Sequence, residues 1–193
     1  MKRITITLYT LAALLLLTSA GCNRLLKDLT EKDVDVANIE FTSDDLEVFP
    51  APEGSPEGTF NDFNETQTIS LDDFEGADEL KKYNKEHIKS VSCETVQIRV
   101  NSTNNKAGNV RDFLTNIQDI PNFKFTIADY TLGTIYEDQY AKQFVEQLMY
   151  YVLTRGDQSL TLALSGKTNL AESEKLKLQI SIKGIRVKVQ MAT

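Results

Sequence analysis

Alternation of apolar and polar residues is most regular in the last third of the chain. Leu160–Ser165 alternates, and Leu176–Met191 alternates over a longer stretch. In the longer stretch the apolar side chains hold even positions up to Ile182 and odd positions after Gly184. A change of phase at a glycine indicates a bulge or bend that keeps one face of a strand inward. We therefore predict a long antiparallel C-terminal β-hairpin whose second arm bends at Gly184.

A helical period is clearest over Asp138–Thr154. Asp138 is a suitable N-cap, and Arg155–Gly156 suits the C-terminal end. Tyr150 and Tyr151 lie off the main stripe and are candidate partner contacts, because tyrosine is enriched at interfaces. The alternative is that the tyrosines cover the core. The main stripe repeats every four residues, at Tyr140, Phe144, Leu148 and Val152.

Weaker patterns predict the remaining elements. Their order, rich in strands and without a βαβ repeat, predicts an α+β domain, mainly antiparallel and β-sandwich-like, with two or three helices. The predicted elements are a strand at Val34–Phe41 with a bulge between Val36 and Ile39, strands at Thr66–Leu71, Lys89–Val100 and Phe123–Ile127, and short helices at Gly76–His87 and Val110–Ile117.

The first 21 residues have the order of a secretory signal peptide. Lys2 and Arg3 precede the uncharged apolar stretch Ile4–Leu17, and small residues follow. The apolar stretch is shorter than the roughly 20 residues that span a bilayer. We therefore expect residues 1–21 to be a cleaved export signal.

Ser19-Ala20-Gly21-Cys22 resembles the lipobox of bacterial lipoproteins. The family usually has leucine where Ser19 stands, whereas the other three positions fit. The resemblance implies that Cys22 carries diacylglycerol, that cleavage precedes it, and that the new amino group is acylated, as with palmitate. Several acyl chains would hold the protein at a membrane, since one chain alone is marginal. The competing interpretation is cleavage after Ala20, which leaves a soluble protein.

The predicted mature chain has a short tether at residues 22–33 and one β-rich domain at residues 34–193. An acidic loop at residues 42–66, with three prolines and two glycines, interrupts the domain. The signal and the β-rich plan resemble those of uncharacterised envelope lipoproteins of Bacteroidota-type bacteria. Asn23 after the cysteine favours the outer membrane, and the missing acidic run beside Cys22 favours its periplasmic face over the cell surface.

Charge and cysteine content narrow the possible partners. The chain has 21 basic and 28 acidic residues, and removal of residues 1–21 leaves 19 against 28, a net charge of −9. Nucleic acid and anionic lipid surfaces require clustered lysine and arginine, so neither is expected as a partner. If Cys22 carries lipid, Cys93 has no disulfide partner and is expected to be a small buried thiol.

Several chemistries are not supported by the sequence. His87 is the single histidine, so no multi-histidine zinc site is predicted. A Ser-His-Asp triad would have to use His87, but the sequence has no Gly-x-Ser-x-Gly motif. Ser165–Thr168 reads Ser-Gly-Lys-Thr, but a P-loop needs glycine where Thr161 stands. The acidic clusters at 44–45 and 72–75 lack the spacing of an EF-hand. We predict no catalytic, metal or cofactor site.

Three hypotheses of function follow. The first is a non-enzymatic envelope lipoprotein that binds a partner protein or supports an assembly. The second is a carrier of lipid or another apolar ligand, which requires a continuous apolar cavity between the 138–154 helix and the sheet. The third is a hydrolase of glycans or peptides, which requires converging carboxylates. The chain has no tryptophan, which weakens a carbohydrate site without excluding it.

Overall fold

Two antiparallel β-sheets form the framework of the domain. The computed structural model describes residues 31–50, 53, 56, 59–83, 87–118, 120, 122–155 and 159–190. The first sheet contains β1 (Glu31–Thr42), β2 (Leu46–Glu47), β4 (Phe74–Glu75), β5 (His87–Ser92), β6 (Thr95–Ser102) and β10 (Lys175–Gln190). The second contains β3 (Asn61–Ile69), β7 (Asn109–Ile117), β8 (Lys124–Thr131) and β9 (Leu160–Thr168). A 3₁₀ turn at Leu71–Asp73 and the helices α1 (Asp78–Lys81) and α2 (Gln139–Thr154) complete the described elements.

The predicted α+β class and the antiparallel, sandwich-like architecture are confirmed. Buried side chains of both sheets and of α2 belong to a single hydrophobic core. Two isolated bridges link segments that follow one sheet's strands to the other sheet: Val48, after β2, pairs with Phe63 of β3, and Tyr136, after β8, pairs with Ile98 of β6. The sheets therefore share one core and are linked by these two connecting segments.

The two C-terminal strands are long, as predicted, but they do not form a hairpin with each other. β9 pairs with β3 and β7 in the second sheet. β10 is the centre of the first sheet, with β1 on one side and β5 and β6 on the other. Ser165–Thr168, which the hairpin prediction places in the turn between the two arms, lies within β9. Alternation identifies a strand and its buried face, but it does not identify the neighbour to which that strand bonds.

The predicted bend at Gly184 is confirmed, and β1 shares it. Gly184 has a φ of +60°, and the buried face of β10 changes from even to odd positions there. β1 changes phase opposite it, between Val36 and Ile39, with an unbroken register against β10. The predicted bulge in β1 is therefore a bend shared with β10, because neither strand gains a residue. On the other side of β10, Cys93 and Glu94 separate β5 from β6.

The helix predicted at Val110–Ile117 is wrong, because this segment is strand β7. Its buried residues are Val110, Phe113, Thr115 and Ile117. The three-residue step from Val110 to Phe113 comes from an irregularity between Arg111 and Leu114, where Asp112 has a φ of 49°. A bulge adds one residue to a strand, so its apolar spacing imitates a helix locally.

α2 occupies almost the whole predicted range. The Asp138 side chain accepts a hydrogen bond from the Ala141 N–H at 2.7 Å and caps the helix, as predicted. Six further side chains besides Ala141 are buried on this helix: Phe144, Val145, Leu148, Met149, Val152 and Leu153. Tyr140 differs from the prediction, since it was placed on the apolar stripe and is 75% exposed. The helix therefore has a solid apolar face from Ala141 onward and an exposed aromatic ring in its first turn.

Several predicted boundaries need correction. The tether was predicted to end at residue 33, but Glu31–Asp33 already pair with β10. The loop predicted at 42–66 contains β2 and the start of β3, with Leu46 and Phe63 buried. Of the helix predicted at Gly76–His87, the described residues form the single turn α1, and His87 already belongs to β5. Residues 1–30, including the predicted signal and Cys22, lie outside the described residues.

Candidate functional site

A continuous row of aromatic rings lies between α2 and β8. Phe123 stacks on Phe144 with ring centroids 4.8 Å apart, and Phe125 contacts the same ring at 5.4 Å. The row continues at one end through Tyr136 and at the other through Tyr151 to Tyr150. We call these six rings the aromatic row. Aromatic pairs at such distances add about 0.5–1.5 kcal/mol beyond the burial of their area, so the row fixes α2 beside β8.

A groove opens along this junction. It has a volume of about 440 Å³, within the range of about 300–1,000 Å³ typical of ligand pockets. Tyr140 forms part of its wall and is mostly exposed. We call it the α2–β8 groove, and its lining residues are Asn122, Lys124, Phe125, Thr126, Tyr136, Tyr140, Gln143, Phe144 and Gln147.

The groove follows the edge of β8 and not one of its faces. Lys124, Phe125 and Thr126 all line it, although consecutive residues of a strand point to opposite faces. β8 is the last strand of the second sheet, and in the described part of the chain it pairs only with β7. The N–H and C=O groups on the outer edge of such a strand are left without a strand partner.

The opposite edge of the same sheet is bridged near its start. Val48 forms a bridge with Phe63 of β3, and the Phe49 N–H donates to the Asp62 carbonyl at 2.8 Å. The backbone of the chain thus pairs with the beginning of one edge strand of this sheet, while the other edge strand lies beside a groove.

A short polar network holds the end of the groove where α2 begins. The Tyr136 hydroxyl donates to Asp138 Oδ2 at 2.6 Å, while Asp138 Oδ1 caps the helix. The bond to the Asp138 carboxylate, together with burial, raises the pKa of Tyr136 to about 12. One carboxylate therefore fixes both the ring that borders the groove and the first turn of α2.

The two tyrosines predicted as partner contacts stand at the other end of the aromatic row. Tyr150 is partly exposed, whereas Tyr151 packs against the core and against Phe123. Neither lines the α2–β8 groove. The predicted contacts are therefore on the same helix as the groove, but the groove lies beside the first half of that helix.

Cys93 is buried, as predicted, and makes a specific contact with α2. Glu146 Oε1 accepts the Cys93 backbone N–H at 2.9 Å and lies 3.6 Å from Cys93 Sγ. Burial, followed by the neighbouring Glu146 carboxylate, raises the pKa of the Cys93 thiol to about 12. A protonated thiol is a poor nucleophile. The contact between Cys93 and Glu146 therefore has a structural role and holds α2 against the first sheet.

Residues of the two acidic clusters form ion pairs with nearby lysines. Asp45 lies 3.3 Å from Lys177 and 3.7 Å from Lys175, and Asp72 lies 3.0 Å from Lys81. Within the described residues no group of three or more His, Cys, Asp and Glu side chains could hold a metal ion. The side chain of His87 lies outside the description. No helix in the described ranges is long and apolar enough to cross a membrane.

Comparison with known proteins assigns neither a family nor a function to this chain. No protein-family model matches the sequence, and no curated protein shows significant similarity to it. The functional interpretation therefore depends on the residues and geometry of this chain.

Proposed function

We propose that this protein is a non-enzymatic lipoprotein of the bacterial cell envelope, anchored through Cys22, whose β-rich domain binds a partner protein in the α2–β8 groove. The observation that carries the binding role is an exposed aromatic side chain, Tyr140, beside an unpaired strand edge. Tyrosine provides a large contact area with little loss of conformational freedom, and large exposed apolar surfaces mark interaction sites.

The lining of the groove favours binding over catalysis. Its polar side chains are amides, hydroxyls and the amine of Lys124, and it has no carboxylate, histidine or thiol. Acid–base and nucleophilic catalysis depend mainly on those groups. Tyr136, which could act as an acid, is held protonated by its bond to Asp138.

The packing of α2 does not favour the carrier hypothesis. That hypothesis requires an apolar cavity under the helix, but Val145, Leu148 and Met149 are completely buried in the shared core. The α2–β8 groove is open to solvent at the rim of this interface. The groove therefore suits an elongated ligand at the surface better than an enclosed apolar one.

Site-specific photocrosslinking in intact cells tests the proposed role. A photoreactive residue is placed at Tyr140 and, separately, at Thr126 on the facing strand. Lys183, an exposed position on β10 in the other sheet, is the matched control. We expect the same envelope protein to be crosslinked from positions 140 and 126 and not from 183. Equal patterns from all three positions, or no crosslinked protein from 140 and 126, would contradict a binding role for the groove.

A further inference from the structure

The backbone beside the α2–β8 groove is arranged for a specific mode of binding. An extended chain can pair with a free strand edge at the usual separation of about 4.8 Å and place alternate side chains on opposite faces. Among the described residues, no strand pairs with the outer edge of β8 over Lys124–Thr126, whereas the outer edge of β3 is bridged by the chain's own backbone at Phe63. The helix beside β8 provides the second wall that such sites use to hold the side chains of the added strand.

The floor of the groove is formed by aromatic rings. Phe125 and Phe144 contact each other, and Tyr136 contacts Phe125 edge-on with centroids 5.8 Å apart. A side chain that points inward from an added strand would therefore meet aromatic surface. Outward-pointing side chains would remain in solvent, so such a partner would alternate between apolar and polar residues.

The charge of the groove indicates which kind of peptide segment it would bind. Lys124 is the only charged residue among those that line it, and no ion pair joins Lys124 to another described residue. This differs from the chain as a whole, which has 28 acidic against 21 basic residues. A lysine that is the one charged side chain lining the groove is complementary to a carboxylate of a ligand.

From these three features we infer that the α2–β8 groove binds an extended, acidic segment of the partner protein, which adds to the second sheet as a strand alongside β8. Main-chain hydrogen bonds to β8 provide most of the affinity. A carboxylate of the segment pairs with Lys124, and an apolar side chain contacts the aromatic floor. The inference rests on the proposed partner-binding function and specifies how that binding occurs.

The probe for this inference is a phage-displayed library of random linear peptides, selected on the mature protein in detergent. We expect the selected peptides to be acidic with alternating apolar residues. Lys124→Glu should weaken their binding by about tenfold or more, since it replaces attraction with repulsion. The matched control Lys183→Glu makes the same charge change on an exposed strand lysine, for which the described residues provide no ion pair, and should leave the affinity unchanged within about twofold.

A backbone N-methyl scan of the tightest peptide tests strand pairing itself. Methylation removes one N–H donor at a time, so pairing with β8 predicts that binding is lost at every second position. A peptide that is insensitive to methylation, or that binds Lys124→Glu as well as wild type, would overturn the inference. A library that yields no binder, preferential binding of glycans, or closure of the β8 edge by a second copy of this chain would also overturn it.

The two proposals can fail separately. If crosslinking from positions 140 and 126 identifies a partner while the methyl scan shows no alternation, the groove binds its partner by another mode. If crosslinking identifies no partner, the proposed function itself fails.

Discussion

Glu94 lies directly over Gly184 at the bend of the first sheet. A Cβ atom on Gly184 would be 2.5 Å from Glu94 Cγ, and Gly184 has a φ of +60°. The backbone conformation therefore favours glycine, a Cβ there would displace the Glu94 side chain, and β1 and β10 change phase along this line.

We predict that Gly184→Ala lowers the free energy of unfolding by about 1–2 kcal/mol from the positive φ alone, with a further loss from the contact with Glu94. Urea denaturation measures the total. Glu94→Ala removes the overlapping atoms, so Gly184→Ala in that background should show only the backbone cost. Equal losses in the two backgrounds would show that the contact with Glu94 plays no part.

Tyr130 connects β8 to the first sheet. Its buried hydroxyl accepts the Val100 N–H at 3.0 Å and donates to the Thr134 carbonyl. Tyr130→Phe leaves both backbone groups without this partner, so we expect a loss of about 1–3 kcal/mol in the free energy of unfolding. Tyr140→Phe is the control and should change it by less than about 0.5 kcal/mol, since that ring is exposed. Equal stability of the two variants would contradict this role for Tyr130.

The Cys93 thiol should resist alkylation in the native state. Its pKa is raised from 9.0 to about 12, so below pH 9 it has about a thousandfold less thiolate than the unfolded chain. Because the folded pKa is the higher one, the contribution of the thiol to stability is complete below pH 9 and is lost as the pH rises toward 12. The rate of reaction with iodoacetamide, in a Cys22→Ser background, measures the effect.

Glu146→Gln separates the two causes of this shift. Glutamine keeps an oxygen for the Cys93 N–H but removes the negative charge, so alkylation should become faster while burial still limits it. Glu137→Gln, a neutralisation just before the same helix, should leave the rate unchanged. A Glu146→Gln protein that reacts no faster than wild type would contradict a role for the carboxylate.

The sequence predicts those elements whose signal is local. The helical period of α2 and its N-cap at Asp138 can both be recognised within one continuous segment. The bend at Gly184 can be recognised because the apolar residues of β10 change there from even to odd positions. The helix predicted at Val110–Ile117 is wrong because the positive φ of Asp112 shifts the apolar spacing by one residue. The pairing of β9 with β3 and β7 depends on distant segments, which alternation does not specify.

The candidate site is less predictable than the fold, because it is assembled from separate segments. Tyr150 and Tyr151 were identified from their place off the apolar stripe of α2, and they form one end of the aromatic row. Tyr140 was assigned to the stripe, yet it lies in the first turn and faces solvent beside β8. The free edge of β8 becomes visible only when the strand order is known.

The identity of the mature N-terminus is the most direct test of the central claim that this is a lipid-anchored envelope protein. The measurement is the intact mass of the protein extracted from its own membranes, for wild type beside Cys22→Ser. We predict a wild-type species that begins at Cys22 and carries added acyl mass, and the loss of that mass in the Cys22→Ser protein. A wild-type species that begins at Gly21 without lipid would contradict the anchor and make this a soluble secreted protein.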